Sequence, residues 1–231
     1  MTVTPLAVVL ALAGLAWGVL ADRISVRWPE HDEGFVAGRP VGWRTAVVAL
    51  FGAVGLGALA GRFEGGLESF AVLTALPGRF DSGLELAIFA AYVLVLTLLL
   101  ATDLDQRLLP DVLTLPMIPL AFLFALSGRD PLVGAALVPA VLAAVAIPAA
   151  LYLPSLAFGP GAFGLGDVKL LVTVGLISGA YRALVGVVSG VLLAGVVIVV
   201  LLVARRITLR SYIPFGPFLI LGALWAILLR T

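Results

Sequence analysis

Long apolar stretches recur along this chain, and each is closed by a short polar or Gly/Pro-rich segment. A membrane helix needs about 20 mostly apolar residues. On that measure the pattern predicts about eight helices, at roughly 4–22, 43–61, 84–102, 110–127, 132–153, 167–180, 183–204 and 212–230. The sixth is short, as suits a tilted, partly buried or re-entrant helix. The expected fold class is all-α, a polytopic membrane helical bundle. The longest polar segment, Asp22 to Arg44, holds Arg23, Arg27, Arg39 and Arg44 beside the acidic cluster Glu30, Asp32 and Glu33. Arg62 to Ser82 is Gly-rich and mixed, as for a short interfacial helix. Pro154 to Gly166 is rich in Gly and Pro and is expected to be irregular backbone. Two regions are expected: 1–83, with the first two helices and their loop 22–44, and a membrane-embedded core over 84–231.

Composition agrees with the pattern. Of 231 residues, 62% are hydrophobic and 12% charged, with mean hydropathy +1.21, whereas soluble domains are about half apolar and about a quarter charged. The net charge of +1 and the lack of any Lys/Arg block give no sign of a nucleic-acid partner. Without cysteine, disulfides, thiolate catalysis and Cys-ligated zinc are excluded. The one histidine, His31, cannot supply a His-rich metal site and reads as a solvated loop residue; no metal is expected. The first apolar run, Pro5 to Ala21, has no Lys or Arg before it and a charged segment after it, so a retained helix is expected rather than a cleaved signal peptide.

Basic residues set the expected orientation. With the N-terminus outside, inner loops carry Arg23, Arg27, Arg39, Arg44, Arg107, Lys169, Arg205, Arg206 and Arg210, and outer loops carry Arg62, Arg79, Arg129, Arg182 and Arg230. Both termini are then extracytoplasmic, and Asp103, Asp105, Asp111 and Asp167 converge on the cytoplasmic face.

Carboxylates at the edge of an apolar helix are costly and tend to line a cavity or do chemistry. Asp111, following Pro110 at a helix start, has a structural explanation in the helix dipole. Asp105 reads as solvated or paired with Arg107. Asp103 abuts the apolar run and faces no obvious neighbouring charge, so it is the hardest to explain structurally. Asp167 follows Gly164 and Gly166; the plain reading is a residue near a helix cap, with Lys169 snorkelling to the interface. Pro214-Phe215-Gly216-Pro217 is either a kinked helix entry or a broken segment that shapes an opening beside the site. Arg205, Arg206 and Arg210 read as topology anchors, and Gly186, Gly190, Ala194 and Gly195 as a close-packing seam.

Two aspartates brought together cannot both ionise cheaply and share a proton. The ionised member can draw a proton from water while the protonated one hydrogen-bonds a scissile carbonyl. This chemistry needs no cysteine, histidine or metal. The chain also lacks a Gly-x-Ser-x-Gly elbow and a His-Glu-x-x-His helix.

Asp103-x6-Pro110-Asp111, Gly164-x-Gly166-Asp167-x-Lys169 and Pro214-Phe215-Gly216-Pro217 together resemble the type IV prepilin peptidases, polytopic membrane aspartic proteases with a Gly-x-Gly-Asp motif. The resemblance covers about 84–230, with a fainter match from Gly18 through Asp22 and Arg27 to Pro29. It implies that Asp103 and Asp167 are the catalytic pair and Gly164 and Gly166 the motif glycines. Lys169, Pro110, Asp111, Pro214, Gly216 and Pro217 are then motif or substrate-binding positions. It implies prepilin or pseudopilin substrates, whose basic leader is cut at the cytoplasmic face of the inner membrane, just before the apolar pilin helix. The acidic cluster Glu30, Asp32 and Glu33 could attract such a leader. The partners implied are those substrates and the lipid bilayer; no oligomeric state follows. Proteolysis implies no cofactor, and S-adenosylmethionine enters only if methylation of the new N-terminus is retained. Many long members carry paired Cys-x-x-Cys motifs in the first cytoplasmic loop. This cysteine-free chain excludes the zinc-stapled form and leaves methylation open.

Three alternatives differ in class. A related Gly-x-Gly-Asp intramembrane protease would carry Tyr directly before its first Asp, where this chain has Thr102. A proton-coupled transporter using the Asp pair would show inverted repeats, and none is visible. A structural assembly partner leaves the aspartates unexplained.

Overall fold

The computed structural model describes residues 5–29, 40–64, 83–158, 163–208 and 214–229. The acidic cluster at 30–33 with His31, the segment 65–82, and Arg39, Arg210 and Arg230 lie outside the described residues. Helices are α1 (Pro5–Ser25), α2 (Trp43–Glu64), α3 (Gly83–Gln106), α4 (Asp111–Leu126), α5 (Leu137–Ser155), α6 (Leu165–Val203) and α7 (Gly216–Leu228). A 3-10 turn, Leu156–Phe158, follows α5. Among the described residues, 5 helices are long and apolar enough to cross a membrane, while α4 and α7 are shorter apolar helices. The chain is a multi-pass helical membrane protein.

The sixth and seventh predicted helices are the two segments of α6, which together span 39 residues. Straight, it would reach about 58 Å, against about 30 Å of bilayer hydrocarbon. It is broken at Gly179, with φ 73° and ψ 168°, a backbone region that only glycine enters cheaply. The segment 165–178 starts beside Leu109 and ends beside Leu132, where Gly179 packs. The segment 180–203 then runs back along α7: Gly186 meets Gly222 and Ala226, and Gly190 meets Phe218. The break is a reversal, and Arg182 closes it. Its Nη1 donates to the Leu132 carbonyl at 2.9 Å and its Nε to the Leu229 carbonyl at 3.3 Å.

Helices approach closely where glycines face one another, as in Gly14 with Gly52 and Gly186 with Gly222, where an added Cβ would strike the opposing backbone. Small residues substitute for hydrophobic drive in such packing. Gly195 has nothing within 4 Å of such a Cβ and is not in the seam expected of it. The core lies around α3, α7 and the first segment of α6, with Phe89, Leu96, Leu99, Leu170, Leu219 and Ile220 almost fully buried. Phe89 also meets Phe124 of α4 edge-on, with centroids 5.8 Å apart.

Several boundaries differ from the apolar pattern: α2 ends at Glu64 rather than 61, α7 starts at Gly216 rather than 212, and three more differ for visible reasons. Helix α1 continues to Ser25, so Asp22 is a buried helical residue that accepts from Thr45 Oγ1 at 2.6 Å. Helix α3 continues one turn past residue 102, until Arg107 adopts φ 56° and its N–H donates to the Asp103 carbonyl at 2.9 Å. Helix α5 starts at Leu137 rather than 132. There Asp130 Oδ1 accepts the Leu132 and Val133 N–H groups at 2.8 and 3.3 Å, holding a turn that continues through Gly134 at φ 52°.

Candidate active site

Four helix termini meet at one end of the bundle: the C-terminus of α3 and the N-termini of α4, α6 and α7. Asp103 lies in the last turns of α3, 5% exposed. Its Oδ2 is buried and has no hydrogen-bond partner among the described residues. Such an atom is costly to bury, and a catalytic role is one reason a fold tolerates it. Asp103 lies within coulombic reach of Asp167 and of Arg107.

Asp167 occupies the third position of α6, with Gly164 as N-cap. The Gly164 N–H donates to its carboxylate, the reach-back half of a capping box. This supplies a structural role for Asp167, which is half-buried. The two motif glycines have separate duties. A Cβ on Gly164 would stand 3.1 Å from Asp167 Oδ2, and one on Gly166 only 2.8 Å from Leu109 Cβ. Gly166 thus lets the segment before α4 lie against the entry of α6.

The Pro214–Pro217 motif also lies here. Pro214 is non-helical, Phe215 caps α7, and Pro217 falls in the first turn, where its missing N–H has no intrahelical partner to lose. Gly216 packs against the Asp103 carboxylate: an added Cβ would be 2.6 Å from Oδ2. Phe163 and Phe215, each directly before a motif glycine, meet edge-on at 6.2 Å and 60° and brace the two helix entries. Sequence reading gave neither ring a role; its only signal was that shared placement.

The remaining candidates are engaged. Pro110 is the N-cap of α4 rather than its first helical residue. Asp111 pairs with Lys169 at 2.5 Å, joining α4 to α6. Lys169 is thus ion-paired rather than simply snorkelling. Asp105 pairs with Arg44 at 3.0 Å, tying α3 to α2. Gln106 Nε2 donates to the Ser25 and Pro29 carbonyls, so the α1–α2 hairpin grips the end of α3. Among the described residues no three His, Asp or Glu gather as a metal site.

Residues 90–204, about half of the chain, match the model of the type IV leader peptidase family. The chain is 32% identical over 127 residues to a protein of Pseudomonas aeruginosa named prepilin leader peptidase/N-methyltransferase, covering 55% of this chain and 43% of that protein. A protein of the same name from Pectobacterium carotovorum is 31% identical over 148 residues, 63% of this chain and 53% of its own. One from Aeromonas salmonicida is 32% identical over 135 residues, 58% and 46% respectively. The chain spans about half the length of these curated relatives. No solved structure matches it. The matched stretch contains Asp103 and the Gly164–Asp167 turn, and the chain belongs to the type IV leader peptidase family.

Proposed function

We propose that this chain is a membrane aspartic endopeptidase that removes the basic leader from type IV prepilins or pseudopilins. One observation carries the reading: two carboxylates of a leader-peptidase chain, Asp103 and Asp167, lie within electrostatic reach at one end of the bundle, one buried and the other half-buried. Carboxylates so placed hold one proton between them. The ionised member takes a proton from water, the protonated member hydrogen-bonds the scissile carbonyl, and the water oxygen attacks the carbonyl carbon. Collapse of the tetrahedral adduct breaks the C–N bond, and the proton goes to the leaving amine.

The distribution of Lys and Arg supports a cytoplasmic active site in the inner membrane. A basic leader stays on that side while the apolar pilin helix enters the bilayer. The catalytic unit is 84–231, with 1–83 bracing it. The relatives' names include N-methyltransferase. Among the described residues near this end, Asp22 is engaged with Thr45, Asp105 with Arg44 and Asp111 with Lys169, and the proposed proteolysis uses no methyl donor.

Incubating membranes that hold the full chain with a prepilin, then sequencing the product, tests the reading. The expected new N-terminus lies between the basic leader and the apolar helix, and the product mass shows whether it is methylated. A prepilin left intact, or cut inside its apolar helix, contradicts the proposal. The second outcome favours an intramembrane protease with other substrates.

A further inference from the structure

Gly216 bears on a reacting group more tightly than any other described glycine. A Cβ there would lie 2.6, 2.7 and 2.8 Å from Oδ2, Cγ and Oδ1 of Asp103, so the whole carboxylate faces bare backbone. Gly186, Gly190 and Gly222 are also crowded, but their nearest neighbours are carbonyl oxygens of the facing helix. Adding a methyl at those positions must move a helix. Adding one at Gly216 must move a short side chain, and that side chain is Asp103. Asp103 has little room to move, since it is 5% exposed. The wall is also fixed from behind: Phe215 is held by Phe163 at the entry of α6, the entry that carries Asp167.

We propose that Gly216 is a positioning residue for Asp103: the bare first turn of α7 sets the side-chain angle at which the Asp103 carboxylate faces Asp167. The inference rests on the leader-peptidase reading for its consequence in catalysis, though not for the contact itself. In this role Gly216 acts through Asp103, whose carboxylate it faces. Misplacing a catalytic group by about 1 Å can cost about 10²-fold in rate.

The test uses the full chain in membranes, with cleavage of a prepilin as one readout. Gly216→Ala is expected to stay folded with at most a modest fall in melting temperature, to keep the wild-type KM, to lose about 10²-fold in kcat per folded molecule, and to shift the pH dependence of kcat. Gly195→Ala, with open space around it, should match wild type throughout, while Gly222→Ala should melt lower. A Gly216→Ala variant with wild-type kcat, or one whose loss only tracks the folded fraction or lies in KM, overturns the proposal. A second readout needs no activity. The chain has no cysteine, so Asp103→Cys carries a lone thiol, and its alkylation rate by iodoacetamide should change clearly when Gly216→Ala is added. If wild type cuts no prepilin, the leader-peptidase reading fails. The thiol rate still decides the contact, and an unchanged rate overturns it.

Discussion

Asp103 and Asp130 each bury a carboxylate oxygen that has no partner among the described residues, and they sit at opposite ends of the bundle. Asp103 stands beside a second carboxylate, as a proton-sharing pair requires. Asp130 has a turn to hold, and burial pushes its carboxyl up to about 7, with a smaller push from Glu85. The Leu132 and Val133 N–H groups and Arg182 pull the other way without cancelling burial. Between its ordinary value near 3.8 and about 7, the folded chain holds a proton that the unfolded chain has released. The resulting stabilisation is complete at acid pH and lost as pH rises through about 7, an effect on the order of 2–4 kcal/mol. Asp130→Asn keeps an oxygen for the two N–H groups and removes the titration. Thermal melts in detergent at pH 5 and pH 8 should therefore show a smaller fall for the variant than for wild type. Equal falls would mean that Asp130 does not titrate in this range.

At the scale of elements, α6 shows where sequence reading succeeds and where it stops. Hydropathy marks both of its halves, because apolar length is a property of the chain itself. It does not reveal the conformation of Gly179, which is set by packing against Leu132 and by Arg182 bridging Leu132 and Leu229. Gly179→Ala should destabilise the fold by about 1–3 kcal/mol, since φ 73° with ψ 168° suits no L side chain. A lowered melting temperature would show it, whereas a wild-type melt would mean that the reversal does not need glycine. The polar end of α3 departs from the apolar pattern for a related reason. Asp103 ends the apolar run, but the helix continues because Arg44, Ser25 and Pro29 receive its last side chains. The start of α5 departs from it because the Asp130 turn satisfies two N–H groups locally, and apolar periodicity carries no trace of that.

In the whole molecule, the α1–α2 hairpin packs on α3, α3 packs on α7, and α6 folds back to join α7 to α4 and α5. Trp17 Nε1 donates to the Leu94 carbonyl at 2.9 Å, so the hairpin holds α3 at mid-height as well as at its end. This arrangement gathers four helix termini into one site. Asp103 is legible in the sequence as a candidate because a carboxylate that ends an apolar run is hard to explain structurally, whereas Asp167 has a plain cap reading and stands out only through the resemblance carried by its Gly164-x-Gly166 turn. The contact of Gly216 with Asp103, the Phe163–Phe215 pair and the Leu109–Gly166 contact were not legible. Each joins segments far apart in the chain, and only the folded bundle relates them. The most direct test of the catalytic pair is the rate of prepilin cleavage by wild type, Asp103→Asn, Asp167→Asn and the double variant, each first shown to be folded in the membrane. Two aspartates acting as one unit predict that each single variant loses about 10³-fold or more and that the double variant is scarcely worse. Cleavage near the wild-type rate by either single variant would contradict the pair.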